Sequence, residues 1–275
     1  MGRSSPELAT PRGCGLPEEA VAQLEAAGFD VAGALAIDDY DARVPPPWRS
    51  EVAAPGARRA IVLGTGGGGF ERAWLEAAGG QGGLDPADDF AADVLAGATR
   101  SIEAASGGVA RAWLYADRRS DAGGEPVFAD FVALAEACRL GARSRLGLLL
   151  HPVYGPWWSV RALVLTSLDG PVRVAADPST AAGTSVLPAA GPCTDCTAPC
   201  ISACPGGAVS AAGFDALACA RTRRAGVTCA DRCDARRACV VGPAHDYDAV
   251  AEAHYAGASL AWLRVPSDAT SGSDG

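Results

Sequence analysis

Eight cysteines fall between residues 193 and 239 of this 275-residue chain. The first four stand in GPCTDCTAPCISACPGGAV (191–209) as C-x2-C-x3-C-x3-C, with Pro205 directly after the last. Cys219, Cys229, Cys233 and Cys239 follow. A thiolate is a soft anionic donor, so eight in so short a segment point to metal or cluster ligation. A cubane cluster needs four thiolates converging on one site. A tight loop can present three, and the fourth then comes from a segment leading to a neighbouring site.

The spacing is similar to the bacterial ferredoxin run C-x2-C-x2-C-x3-C-P, whose fourth cysteine serves the other cluster. One extra residue separates the second and third ligands here. Crossing of that kind predicts two [4Fe–4S] sites. One takes Cys193, Cys196, Cys200 and Cys239; the other takes Cys204, Cys219, Cys229 and Cys233. Gly206-Gly207 permits close backbone approach, with amides free to point at sulfur. Two zinc sites would also consume eight cysteines. Zinc ribbons, however, pair C-x2-C knuckles, and only Cys193/Cys196 forms one. Disulfide frameworks belong to small secreted chains with weak cores, and Cys14 and Cys138 stand apart from the rest.

Apolar residues make up 49% of the chain, enough for a sizeable core. The formal charge is −9 and the pI about 4.8. Such a chain is a poor general partner for nucleic acid or an anionic membrane. Every basic residue is arginine, which excludes a Schiff-base lysine and a P-loop lysine. The N-terminal stretch is polar, and no apolar run approaches the ~20 residues of a membrane span. A cytoplasmic location is the expectation.

These ligands need elements to hold them. Helices are expected over 16–30, 70–77, 88–104 and 126–142, and strands over 31–37, 57–69 (a buried strand running into a glycine-rich turn), 109–117, 145–152 and 160–168. Residues 38–56 read as a loop because of three consecutive prolines. QGGLDP reads as a turn, residues 1–15 and the tail after Pro266 as disordered, and 172–192 as a linker. The expectation is an α/β or α+β domain over 16–175. A cysteine module with a last helix that packs back follows over 190–265.

With those residues in view, the C-x2-C, C-x3-CP, lone cysteine and three further cysteines resemble the ferredoxin module of epoxyqueuosine reductases and reductive dehalogenases. LGLLLHPVYGPWWSVRALVLTSL (146–168) looks like the strand–PxYGxW–strand segment before those clusters. Its His151, Pro152, Gly155, Trp157 and Arg161 also resemble cobalamin-processing proteins of the decyanase type. Ferredoxin-like bacterial proteins of this length are closer still. The resemblance covers about 126–245. It implies an α+β chain, a nitroreductase-like α/β domain followed by a dicluster ferredoxin-like module. It further implies that a corrinoid is held by the first and fed electrons by the second. Epoxyqueuosine reductases carry an acid where this chain has Gly123, and a GKN turn where it has Ser144-Arg145-Leu146. Asp121, Glu125 and Asp130 are the nearby substitutes.

The expected cofactor-binding residues are His151, Tyr154, Gly155, Trp157 and Arg161, while catalytic residues are unassigned. Tyr154 and the Trp157-Trp158 pair fit either the wall of a planar cofactor or the core. GTGGGG (64–69) lacks the acidic ribose ligand of a dinucleotide fingerprint and reads as a turn near a ligand. His254 reads as packing. The arginines at 221–237 fit an acidic carrier's dock or compensation of cluster charge. The expected function is an iron–sulfur electron-transfer reductase, with an electron-donor protein and a corrinoid or small-molecule substrate as partners. The alternative is a non-catalytic ferredoxin-like carrier that docks a partner protein.

Overall fold

The computed structural model of the chain describes residues 15–78, 86–115, 117–170, 191–226, 229 and 231–262. The expectations for the N-terminal stretch, the QGGLDP turn, the linker, the tail and Cys14 fall outside these residues, wholly or nearly so.

The central sheet has four strands in the order β1-β2-β8-β3, every pair antiparallel. They are β1 (Val31–Ala36), β2 (Arg59–Gly66), β3 (Ala110–Leu114) and β8 (Trp158–Thr166). Two-residue strands β4 (Arg119–Ser120), β5 (Pro126–Val127), β6 (Ala142–Arg143) and β7 (Leu149–Leu150) lie between the last two. An antiparallel sheet with helices makes the class α+β. The inner strands β2 and β8 read as near-continuous apolar runs because both of their faces are covered. On one face, Ile61, Leu63, Ala162 and Val164 pack on α1 (Glu18–Ala26), α4 (Gly69–Ala78) and α5 (Pro86–Ser106). On the other, Val62, Leu163 and Leu165 pack with Tyr40, Trp48, Phe131 and Leu134.

The proline stretch is more ordered than a loop. It contains α2 (Ile37–Asp41), a 3-10 turn at Pro46–Trp48 and α3 (Ser50–Ala53). Proline is tolerated there because the first turn of a helix has no use for its missing N–H. The Tyr40 hydroxyl donates to the Trp48 carbonyl at 2.7 Å, and Asp41 accepts from the Ser50 amide and hydroxyl. Trp48 is fully buried, donates from Nε1 to the Val127 carbonyl, and meets Trp113 and Phe131 edge-on.

The helix expected over 126–142 is shorter. Pro126–Val127 is strand β5, and α6 runs Phe131–Ala137. Asp130 caps its start by accepting from the Ala133 amide, and the left-handed Arg139 follows its end. The strand expected over 145–152 shrinks to β7, since Ser144 and Gly147 form a turn before it.

The cysteine region holds α7 (Pro199–Ser202), β9 (Val209–Ser210), β10 (Gly213–Phe214), α8 (Ala216–Arg224) and α9 (Asp234–Arg237). It ends in α10 (Ala249–Trp262). No helix among the described residues is long and apolar enough to cross a membrane.

Trp48 fastens the proline stretch to the sheet. Trp48→Ala is therefore expected to cost about 3–5 kcal/mol in equilibrium urea unfolding. A loss below about 1 kcal/mol would show that the stretch is not part of the core.

Candidate functional site

The eight cysteines fold into two groups. Burial pushes the Cys200 thiol up, and Cys193 and Cys196 push it further. Burial raises Cys239 as well, with Cys200, Cys193 and Cys196 adding to it. These four line one small enclosed cavity. Cys204, Cys219, Cys229 and Cys233 line a different cavity of about 720 Å³. Within it burial raises Cys219 and Cys233, and the neighbouring thiols of the same group add to both shifts. Thiols gathered in this way need a cationic body to be held together as thiolates.

The chain crosses between the groups at proline. Cys200 belongs to α7, and Cys204 beyond its end faces the other cavity. Cys233 and Cys239 flank α9 and supply one member to each group. All eight are free thiols. Among the described residues, no three Cys, His, Asp or Glu side chains close around one point as a single ion requires. Zinc at about 2.3 Å from each of four sulfurs would need that convergence. Four thiols in each group are the donor type of an iron–sulfur cluster as well as of zinc.

A cleft of about 840 Å³ lies between the sheet domain and the cysteine region. Such a volume is within the ~300–1,000 Å³ range of small-molecule sites. Asp88, Asp130, Arg143, Trp158, Ser159 and Arg161 line it, as do Tyr247, His254 and Tyr255 from the last segment. Tyr115, Gly147, Leu148, Arg236 and Tyr255 border both this cleft and the second group's cavity.

Arg161 reaches the cleft through a β-bulge. Leu63 pairs with Ala162 and Gly64 with Val160, leaving Arg161 the extra residue of β8. Its guanidinium lies over Phe70 and Tyr255, pairs with Asp88 at 3.7 Å and donates to the Tyr255 hydroxyl. Tyr255 in turn donates to the buried Glu71. Burial works against the Arg161 cation, but Tyr255, Tyr247, Glu71 and Asp88 outweigh it and raise its pKa.

The other four expected cofactor residues do not line this cleft. His151 is fully buried, and its Nδ1 accepts from the Val153 and Tyr154 amides at 3.2 Å. Its proton therefore sits on Nε2. Tyr154 donates to Asp30 at 2.5 Å, with its ring against Gly66 and His245. The glycine-rich turn thus makes room for Tyr154 and does not border the cleft. Trp157 is buried under Arg236, whose guanidinium lies 4.5 Å from its ring and whose Nε donates to the Pro156 carbonyl.

Gly155 carries the contact that joins the two parts. A Cβ on Gly155 would overlap the Val241 carbonyl, and one on Gly242 would overlap the Tyr154 backbone. Both residues are left-handed, with φ of 58° and 66°. The two backbones cross where only glycine fits.

Of the substitutes for a missing acid, Asp130 lines the cleft, capping α6 and pairing with Arg143 at 3.5 Å. Asp121 closes the exposed turn that contains Gly123. Neither Asp121 nor Glu125 lines the cleft. His254 does stack on Trp74, as its helical setting suggests, yet it also faces the cleft. Tyr247 and Tyr255 carry no local motif that would single them out.

The fold has likenesses among solved structures. An epoxyqueuosine reductase from Bacillus subtilis is 13% identical, over 84% of this chain and 66% of that one, with a TM-score of 0.49. An epoxyqueuosine reductase solved with a tRNA stem loop is 14% identical, over 86% and 67%, at 0.48. The B12-trafficking protein CblC of C. elegans is 13% identical, over 55% and 68%, at 0.39. The chain spans about two thirds of the length of each. No family model and no curated protein matches it.

Gly242→Ala is expected to lower the Tm and cost about 2 kcal/mol or more through backbone overlap. Gly226→Ala, also at positive φ but in open space, should cost only about 1 kcal/mol. Equal losses in the two variants would remove the crossing as a constraint.

Proposed function

We propose that the chain is an iron–sulfur electron-transfer reductase. Cys193, Cys196, Cys200 and Cys239 hold one [4Fe–4S] cluster, and Cys204, Cys219, Cys229 and Cys233 hold another. The carrying observation is that Tyr255 and Arg236 border both the second cysteine cavity and the large cleft. Clusters bound there would supply single electrons at low potential to the occupant of the cleft.

The chain's own part is to bind and orient. The Gly155–Gly242 crossing and the Arg236 stack on Trp157 and Tyr247 hold the cysteine region against the sheet. Arg161 presents a fixed cation to the occupant, while His151 and Trp157 back the wall through Trp158 and Tyr247. The occupant is a corrinoid or a small molecule. An aromatic and arginine-lined cleft between two parts of a chain suits a large, flat, mostly apolar ligand with polar edges. A tRNA substrate is disfavoured by the charge of −9. Gly123, at the position of the expected acid, lies in an exposed turn.

Anaerobically purified protein should be brown, with about eight iron and eight sulfide per chain. Colourless protein holding stoichiometric zinc would overturn the cluster assignment. Hydroxocobalamin or cobinamide should bind at roughly tens of micromolar or tighter, and Arg161→Ala should weaken this about tenfold, or ~1.4 kcal/mol. Loaded protein with no spectral shift for either corrinoid would leave a small-molecule substrate or the electron-carrier reading ahead.

A further inference from the structure

Glu252 is a carboxylate placed where burial disfavours it. It sits in the first turn of α10 and is only 4% exposed. Acidic residues are almost never fully buried unless paired. Both of its oxygens are engaged. Oε1 accepts the Cys233 amide at 3.0 Å, and Oε2 accepts from Arg237, whose Nε lies at 3.0 Å. Arg237 also pairs with Asp246 at 3.7 Å.

The location is specific to one cysteine group. Glu252 borders the cavity of Cys204, Cys219, Cys229 and Cys233 and not that of the other four. The same helix holds a second ligand loop, because Arg223 donates to both the Cys229 and the Ala256 carbonyls. Helix α10 therefore fixes two of the four ligands while adding a negative charge beside four thiols. An anion at that point opposes any further negative charge in the cavity.

We propose that Glu252 is a positioning residue that also depresses the reduction potential of the second group's cluster. The inference rests on the cluster reading given above. Reduction adds one electron, so a fixed carboxylate beside the site disfavours the reduced form. Removing that charge should move the midpoint positive. Glu252→Gln keeps an acceptor oxygen for the Cys233 amide, so the ligand loop stays held. Arg237→Gln, which uncovers the carboxylate, should move the same midpoint the other way.

The test is an anaerobic redox titration of the full chain with dithionite and mediators, followed by EPR. Cys200→Ser and Cys229→Ser assign the signals to the two groups. Glu252→Gln should shift the second group's midpoint positive and leave the first group's closer to its wild-type value. Arg237→Gln should shift the second negative. Unchanged midpoints in both variants, or equal shifts at both clusters, overturn the inference while leaving the clusters established. A wild-type chain that takes up no iron overturns the cluster reading itself, and this inference with it. Should Glu252→Gln fail to load the second site, the Arg237→Gln shift decides alone.

Discussion

Two backbones cross at Gly155 and Gly242 with no room for a Cβ on either. Most of the site's geometry follows from that contact. Cys239 lies three residues before Gly242, so the crossing sets where the last member of the first cysteine group stands. The segment then reaches Cys233 through the single turn of α9, which carries Arg236 onto Trp157 and Tyr247. One short stretch thus sets a ligand in each group and packs against the wall of the cleft. Close contact of rigid backbones transmits position without the slack of long side chains.

The cleft gains its character from both sides of this junction. The sheet contributes Arg161, turned out by a bulge in β8, and the last helix contributes His254 and Tyr255. The second cysteine cavity shares Tyr115, Gly147, Leu148, Arg236 and Tyr255 with the cleft, while the first shares Ser144. Under the cluster reading, the second site has the wider border with the cleft.

Much of this was legible in the sequence, for particular reasons. Thiol spacing over a few residues, together with the four later cysteines, suggested which of them could share a site; the cavities they line depend on how the segment folds. The apolar runs of β2 and β8 announced strands. Other features depend on contacts distant in sequence. The proline stretch seemed a loop because Tyr40, Asp41 and Trp48 order it only through bonds to one another and to Val127. Tyr154 and Trp157 carried a motif suited to a cofactor wall, but nothing local reveals that Asp30 and Arg236 turn them into the core. Arg161 was singled out by its motif, whereas its bulge depends on the register with β2.

The most direct test of the account is ligand sharing across the proline. Cys204→Ser, Cys239→Ser, Cys200→Ser and Cys229→Ser variants would be reconstituted anaerobically, and the surviving cluster signal of each read by EPR. The account predicts that Cys239→Ser loses the same signal as Cys200→Ser, and Cys204→Ser the same as Cys229→Ser. Loss of one common signal in Cys200→Ser and Cys204→Ser, with Cys239→Ser affecting the other, would contradict it.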